Sequence, residues 1–307
     1  MAFAALLGAA MVLVVPPPAS AAVWSCSSST PVASRPTLRY GDTGSCVKVL
    51  QNLLLAKGFA IGGSTADGRF GPGTLLGVRR YQSSRLDLSV DGVVGPATWN
   101  RLVNGGGTAY STSRGPNTST RVVLTYDDCP TSLSAFKATV VGARNLGVAL
   151  VLAPTGNCIS SGRFSSSYAR QYGHYVMNHS VSHPDLTTLS TSSILSQLGA
   201  PGVVTTYGRP PYGAVSERVR NAYATKGMRI WLWNVDTNDW RGRTRSQVVS
   251  HVVTYAEPGH SVLMHMQWNA FNTTAISSMK SGLAAKGIGL CRNAGTTTPT
   301  SPSRVVC

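Results

Sequence analysis

Asp127 and Asp128 stand side by side in a chain with few acids: 11 Asp and Glu face 27 Lys and Arg over 307 residues, a formal net charge of +16. His179 and His183 follow at a spacing that brings two imidazoles to one side of a helical turn. Arg209 opens the loop Arg-Pro-Pro-Tyr212, Asp236 and Asp239-Trp240 follow a later apolar run, and His265 lies in another. Turn formation, solvation and core packing account for each of these singly. Together, one carboxylate and two imidazoles without a fourth protein ligand make a set that holds a catalytic divalent cation and leaves positions open. Such a cation lowers the pKa of a bound water to roughly 7 in the case of zinc. A second carboxylate beside it can take up that proton, and an imidazole on the opposite side can give one to a leaving group. The cation and a backbone N–H can stabilise an oxyanion. The chemistry implied is metal-assisted hydrolysis of an amide or ester.

The elements that must position these groups are legible as apolar runs at 121–126, 148–153, 174–178, 203–207, 228–235, 260–266 and 287–290, separated by stretches with helical spacing. Alternation of this kind predicts an α/β domain with a parallel sheet or barrel and helices outside, here seven strands, one short of eight. In such folds functional side chains gather at the carboxyl ends of the strands. Four of the seven carboxylates beyond residue 120 (Asp127, Asp128, Asp236, Asp239) and three of the six His fall at those ends. Chance alone would scatter them.

The stretch 104–120 (NGGGTAYSTSRGPNTST) has no apolar periodicity and reads as a flexible linker between two domains. Before it, Asp67-Gly-Arg-Phe-Gly-Pro-Gly-Thr74 is echoed by Asp91-Gly-Val-Val-Gly-Pro-Ala-Thr98. Each copy predicts a tight Asp-Gly turn and a proline that starts a helix. With the run 47–55 this makes a three-helix unit. The segments LRYGDTGSCVKVLQNLL, DGRFGPGTLLGVRRYQ and DGVVGPATW resemble the peptidoglycan-binding domain 1 family over 36–103. The resemblance implies a small non-catalytic module that holds its owner on bacterial cell wall.

The second domain resembles the polysaccharide deacetylases, carbohydrate esterase family four, through five motifs in order. They are Thr125-Tyr-Asp-Asp-Cys-Pro130, His179-Ser-Val-Ser-His183, Arg209-Pro-Pro-Tyr-Gly213, Asp236-Thr-Asn-Asp-Trp240 and Val262-Leu-Met-His265. The resemblance implies a distorted seven-stranded (β/α) barrel. It also implies that Asp127 is the general base and that Asp128, His179 and His183 bind a divalent metal, expected to be Zn2+. Arg209 would pair with Asp127, the backbone N–H of Tyr212 would help polarise the acetyl oxygen, and Asp239 would orient His265, the general acid. Trp240 and Leu263 would shape the acetyl pocket. Cys129 departs from the family pattern, which has Gly after the Asp pair.

Met1 to Ala21 reads as a secretory signal: an apolar run from Ala2 to Val15, three prolines, then Ala-Ser-Ala. The basic segment that ordinarily precedes such a run is missing, so the start codon is expected upstream. Export makes the six Cys readable as disulfides. Of the fifteen pairings possible, the local one is expected: Cys26–Cys46, Cys129–Cys158 and Cys291–Cys307. A Cys129–Cys158 bridge would tie two rim loops together at about 3 kcal/mol in the chain-entropy model. A thiolate metal site would want a CxxC pair, and there is none. The expected organisation is a signal peptide (1–21), a peptidoglycan-binding domain (22–103), a linker (104–120) and a deacetylase domain (121–307). Basic charge suits an anionic wall; export argues against nucleic acid, and no segment predicts a transmembrane span. The expected protein is a secreted, wall-associated monomer that removes N-acetyl groups from peptidoglycan. Chitin oligomers or O-acetylated xylan as substrate, and a non-catalytic wall-binding protein, are the competing readings.

Overall fold

The computed structural model describes residues 22–293 and Cys307. The expected signal peptide and the Thr/Pro/Ser-rich tail (296–304) lie outside the described residues. In the first domain, α1 (Ser45–Ala56), α2 (Pro72–Ser83) and α3 (Pro96–Asn104) surround a core of Leu50, Leu54, Val78, Tyr81, Trp99 and Leu102. Burial of each such side chain contributes roughly 1.5–3 kcal/mol. Pro72 and Pro96 occupy first helical turns, where a missing N–H costs no intrahelical bond. The sequence repeat is also a hydrogen-bonding repeat. Gln51 donates to Asp67 Oδ1 (2.7 Å) and Thr74 Oγ1 (3.0 Å) and accepts from Gly68 N–H (2.8 Å). Gln82 does the same with Asp91 (2.8 Å), Thr98 (3.3 Å) and Gly92 N–H (2.8 Å). Each buried amide thus fastens a helix to the following Asp-Gly turn.

The second domain runs β1 (Val123–Asp128), α4 (Leu133–Asn145), β2 (Leu150–Pro154), α5 (Gly156–Ser160), α6 (Ser166–Gln171), β3 (Tyr175–Val176), α7 (Thr191–Gln197), β4 (Tyr207–Gly208), α8 (Glu217–Thr225), β5 (Arg229–Ile230), β6 (Val235–Asp236), α9 (Arg245–Tyr255), β7 (Ser261–His265) and α10 (Thr273–Ala284). A parallel five-stranded sheet has the order β3-β2-β1-β7-β6, and β4-β5 form a parallel pair. A bridge between Asn178 and Gly208 carries the register from β3 to β4. On β1, Leu124 and Tyr126 pack with Phe136 and Val140 of α4, whereas Val123 faces Val151 and Trp231. Alternation therefore puts Thr125 and Asp127 on the inner face, the side of Trp231.

Two strand expectations are corrected. The run 228–235 is broken into β5 and β6, because the carbonyls of Trp231 and Leu232 accept from the Arg209 guanidinium at 3.0 and 2.7 Å instead of joining a ladder. The run 287–290 supplies only a bridge from Leu290 to Val122. The three disulfides pair as expected. No helix among the described residues is long and apolar enough to cross a membrane.

The expected flexible linker is instead pinned. Tyr110 Oη donates to Ile230 O (2.7 Å), Leu232 N–H to Thr112 O (2.7 Å), and the Asn117 amide to Arg121 O (2.7 Å) and Gly259 O (3.2 Å). Gly115, at φ 60°, lies against the Trp231 ring, where a Cβ would not fit. The two domains are also docked. Buried Arg229 donates to the carbonyls of Gln82, Arg85 and Leu88 at 3.1, 2.5 and 2.5 Å, and Arg80 pairs with Glu217 at 2.5 Å. A Gly/Ser/Thr composition registers flexibility but not partners more than a hundred residues away.

Candidate active site

Adjacent strand residues ordinarily point to opposite faces. Asp128 breaks that rule by adopting φ 70°, so that it and Asp127 line one cavity of about 390 Å³. His179, His183, Tyr212, Trp233, Asp236, Trp240, Leu263 and His265 complete most of its wall. The loops after β1, β3, β4, β6 and β7 meet here, at the carboxyl ends expected.

Asp127 is buried and bound to buried Arg209, whose Nη1 donates to Asp127 Oδ1 (2.7 Å) and Thr125 Oγ1 (2.9 Å). The other carboxylate oxygen, Oδ2, lies 3.6 Å from His179 Nε2. His179 Nδ1 is 2.8 Å from the Arg209 carbonyl, which can only accept, so Nδ1 carries the proton and Nε2 presents its lone pair. His183 packs edge-on against the ring of exposed Tyr212. Across the cavity, buried Asp239 takes both the side chain and the backbone of His265: Nδ1 at 2.7 Å and N–H at 2.8 Å. Leu263 is buried beside Thr237, and Trp240 is half-exposed.

Asp128, His179 and His183 each offer a ligand atom, all within 4.8 Å of one another. Asp128 Oδ1 lies 3.4 Å from Nε2 of both imidazoles, yet it is buried with no hydrogen-bond donor. A buried carboxylate oxygen without a donor, facing the Nε2 lone pair of His179 and the Nε2 of His183, fits a divalent cation. Burial pushes the Asp128 carboxyl up, but its neighbours His179, Gln267 and His183 hold it well below the usual range. Burial lowers His179, and the Asp127 and Asp128 charges outweigh it to leave a net rise. Burial and His179 lower His183. Burial also lowers His265, but Asp239 and the nearby Asp127 more than offset it and raise the net pKa.

The sequence-predicted catalytic, metal-ligating and pocket residues therefore come together, whereas none of the six Cys lines the cavity; Cys129 and Cys158 pack with the apolar core around Phe136. Two neighbours were not singled out as site residues. Trp233 lines the cavity and carries Arg209 over its ring at 5.6 Å. Gln267 donates to Asp128 Oδ2 at 2.8 Å. Trp233 stood among the aromatics of its apolar run; nothing in spacing or composition marks Gln267.

Residues 43–102 match the family described as Putative peptidoglycan binding domain, and residues 114–231 match the family described as Polysaccharide deacetylase. The chain carries a peptidoglycan-binding match followed by a polysaccharide deacetylase match. Among curated relatives, a bifunctional xylanase/xylan deacetylase of Cellvibrio japonicus is 29% identical over 184 residues, 57% of this chain and 27% of that protein. The peptidoglycan-N-acetylglucosamine deacetylase PgdA of Listeria monocytogenes is 32% identical over 168 residues, 52% of this chain and 34% of that protein. The chain thus spans about a third or less of the length of these relatives. The solved structure of the Bc1960 peptidoglycan N-acetylglucosamine deacetylase shares the fold, with a TM-score of 0.52 and 23% identity over 62% of this chain and 93% of that one. In the second domain, all five non-glycine residues with positive φ among the described residues (Asp128, Ser180, His183, Tyr212, Asn238) line the cavity or lie within two residues of one that does. Such conformations cost of order 1–3 kcal/mol each and persist only where surrounding contacts fix them.

Proposed function

We propose that this chain is a secreted, wall-associated, metal-dependent deacetylase that removes N-acetyl groups from peptidoglycan amino sugars. The observation that carries the reading is the facing arrangement of three ligand atoms, a free Asp127 oxygen and the His265 imidazole around one cavity. When bound, a divalent cation, zinc in this reading, supplies Lewis acidity toward the acetyl oxygen and acidifies water. Asp127 is the general base: Arg209 occupies Oδ1 and leaves Oδ2 to accept a proton on the cavity side. His265 is the general acid. Asp239 holds its Nδ1, so Nε2 is the nitrogen that gives a proton to the departing amine. The backbone N–H of Tyr212 is the additional oxyanion donor. Trp240 and Leu263 bound the space for the acetyl methyl.

The peptidoglycan-binding match over 43–102 favours a wall polymer over the xylan of the Cellvibrio relative or the chitin of fungal ones. We also read the two sheets as halves of one distorted seven-stranded barrel, and residues 22–103, 104–120 and 121–307 as the mature organisation. Acetate release from purified peptidoglycan tests the function, with and without chelator, for the wild type and Asp127→Asn. The expected result is release that chelator and substitution each abolish. Release from an ester-linked xylan alone would reassign the substrate. Wall binding without acetate release under any divalent metal would make the chain a binding protein.

A further inference from the structure

Asp128 has two carboxylate oxygens, and only Oδ1 lies between the imidazoles of His179 and His183, 3.4 Å from each Nε2. The other, Oδ2, accepts from the Gln267 side-chain amide at 2.8 Å. Gln267 is the one amide or hydroxyl donor to this carboxylate among the described residues. It sits two residues beyond His265, in a turn that is itself held to β1, since Met266 N–H donates to Asp127 O at 2.9 Å. The amide is therefore fixed at its base and touches the ligand at its tip. A carboxylate on a short side chain has a broad torsional well about its last bond unless its second oxygen is engaged, and a hydrogen bond to a charged acceptor is among the stronger ones that can engage it.

We propose that Gln267 is a positioning residue for the metal centre, its amide setting Asp128 so that Oδ1 faces the gap between the two imidazoles. The inference rests on the cation reading of this site. It extends that reading by linking the strand end that carries the general acid to the ligand set: the end of β7 places His265 on one side of the cavity, and the turn that follows aims Asp128 on the other. Loss of an outer-shell partner lowers metal affinity by about 10–100-fold.

The test is zinc affinity of the full chain, measured by competition with a chromophoric chelator, for the wild type, Asp128→Ala and Gln267→Met, which keeps length and removes the donor. The expected result is measurable zinc binding by the wild type, none by Asp128→Ala, and an affinity about 10–100-fold weaker in Gln267→Met. The metal-free thermal midpoint of Gln267→Met should stay within a degree or two of wild type, which separates positioning from a purely structural role. Equal zinc affinity in wild type and Gln267→Met overturns this inference and leaves the metal site standing. No divalent binding by the wild type overturns both.

Discussion

The Arg209 guanidinium lies 2.7 Å from the Asp127 carboxylate, with the Arg side chain fully buried and the Asp side chain 4% exposed. The other donors of Arg209 go to Thr125 Oγ1 and to the carbonyls of Trp231 and Leu232. This one side chain interrupts a strand and fixes the Asp127 carboxylate at once. Removing one partner of such a pair strands a charge away from water, at about 3–5 kcal/mol. We expect Arg209→Met to lose that much stability in urea unfolding. The double variant with Asp127→Asn should lose clearly less than the sum of the two single variants, because no lone charge stays buried. Strictly additive losses would mean that the pair is not coupled.

The Asp239–His265 contact carries a pH prediction. Burial alone would lower the imidazole, but the bond to Asp239 and the surrounding acids raise it above its ordinary value. The protonated form, the one that can donate to a leaving amine, therefore persists to higher pH than in a free histidine. Asp239→Asn removes the main stabiliser of the imidazolium. The alkaline limb of the kcat profile should move to lower pH and kcat should fall. An unmoved limb would show that another group sets it.

His174 makes a different pH prediction, for stability. It is buried between α4 and β2: Nδ1 accepts from Leu150 N–H at 3.0 Å, and Nε2 donates to Val140 O at 2.8 Å. Both roles need the neutral ring, and burial pulls its pKa down to about 4. The unfolded chain binds this proton from about 6.5 downward and the folded chain only near 4, so stability is full above 6.5 and declines as pH falls toward 4. At pH 4.5 the loss from this group is about 2–3 kcal/mol. His174→Gln keeps an acceptor and a donor without a titrating ring, and it should flatten the drop in unfolding free energy between pH 7 and 4.5. An equally steep drop in the variant would exclude His174 as its source.

The groups gathered at the cavity were readable because each follows an apolar run, and parallel strands deliver their ends to one rim. Asp128, His179, His183, Asp239 and His265 needed only that rule and the motif order. Six of the seven runs also located strands, but not the interruption at 231–234, which follows from hydrogen bonds to Arg209 that no periodicity encodes. Gln267 reaches Asp128 across 139 residues of sequence, and Arg229 reaches Gln82 across 147. Polar contacts of that range depend on how elements pack, and composition does not carry that information. The same blindness made residues 104–120 look loose.

Arg229 holds the small helical module by three of its carbonyls, and the intervening strap is stitched down along its length. In the proposed function, a module joined in this way works as a fixed gauge: wherever it seats on a polymer, the cavity stands at one set offset and one set angle from that seat. Under that proposal, polymer sites are sampled by the whole protein letting go and seating again, not by one half sweeping around the other.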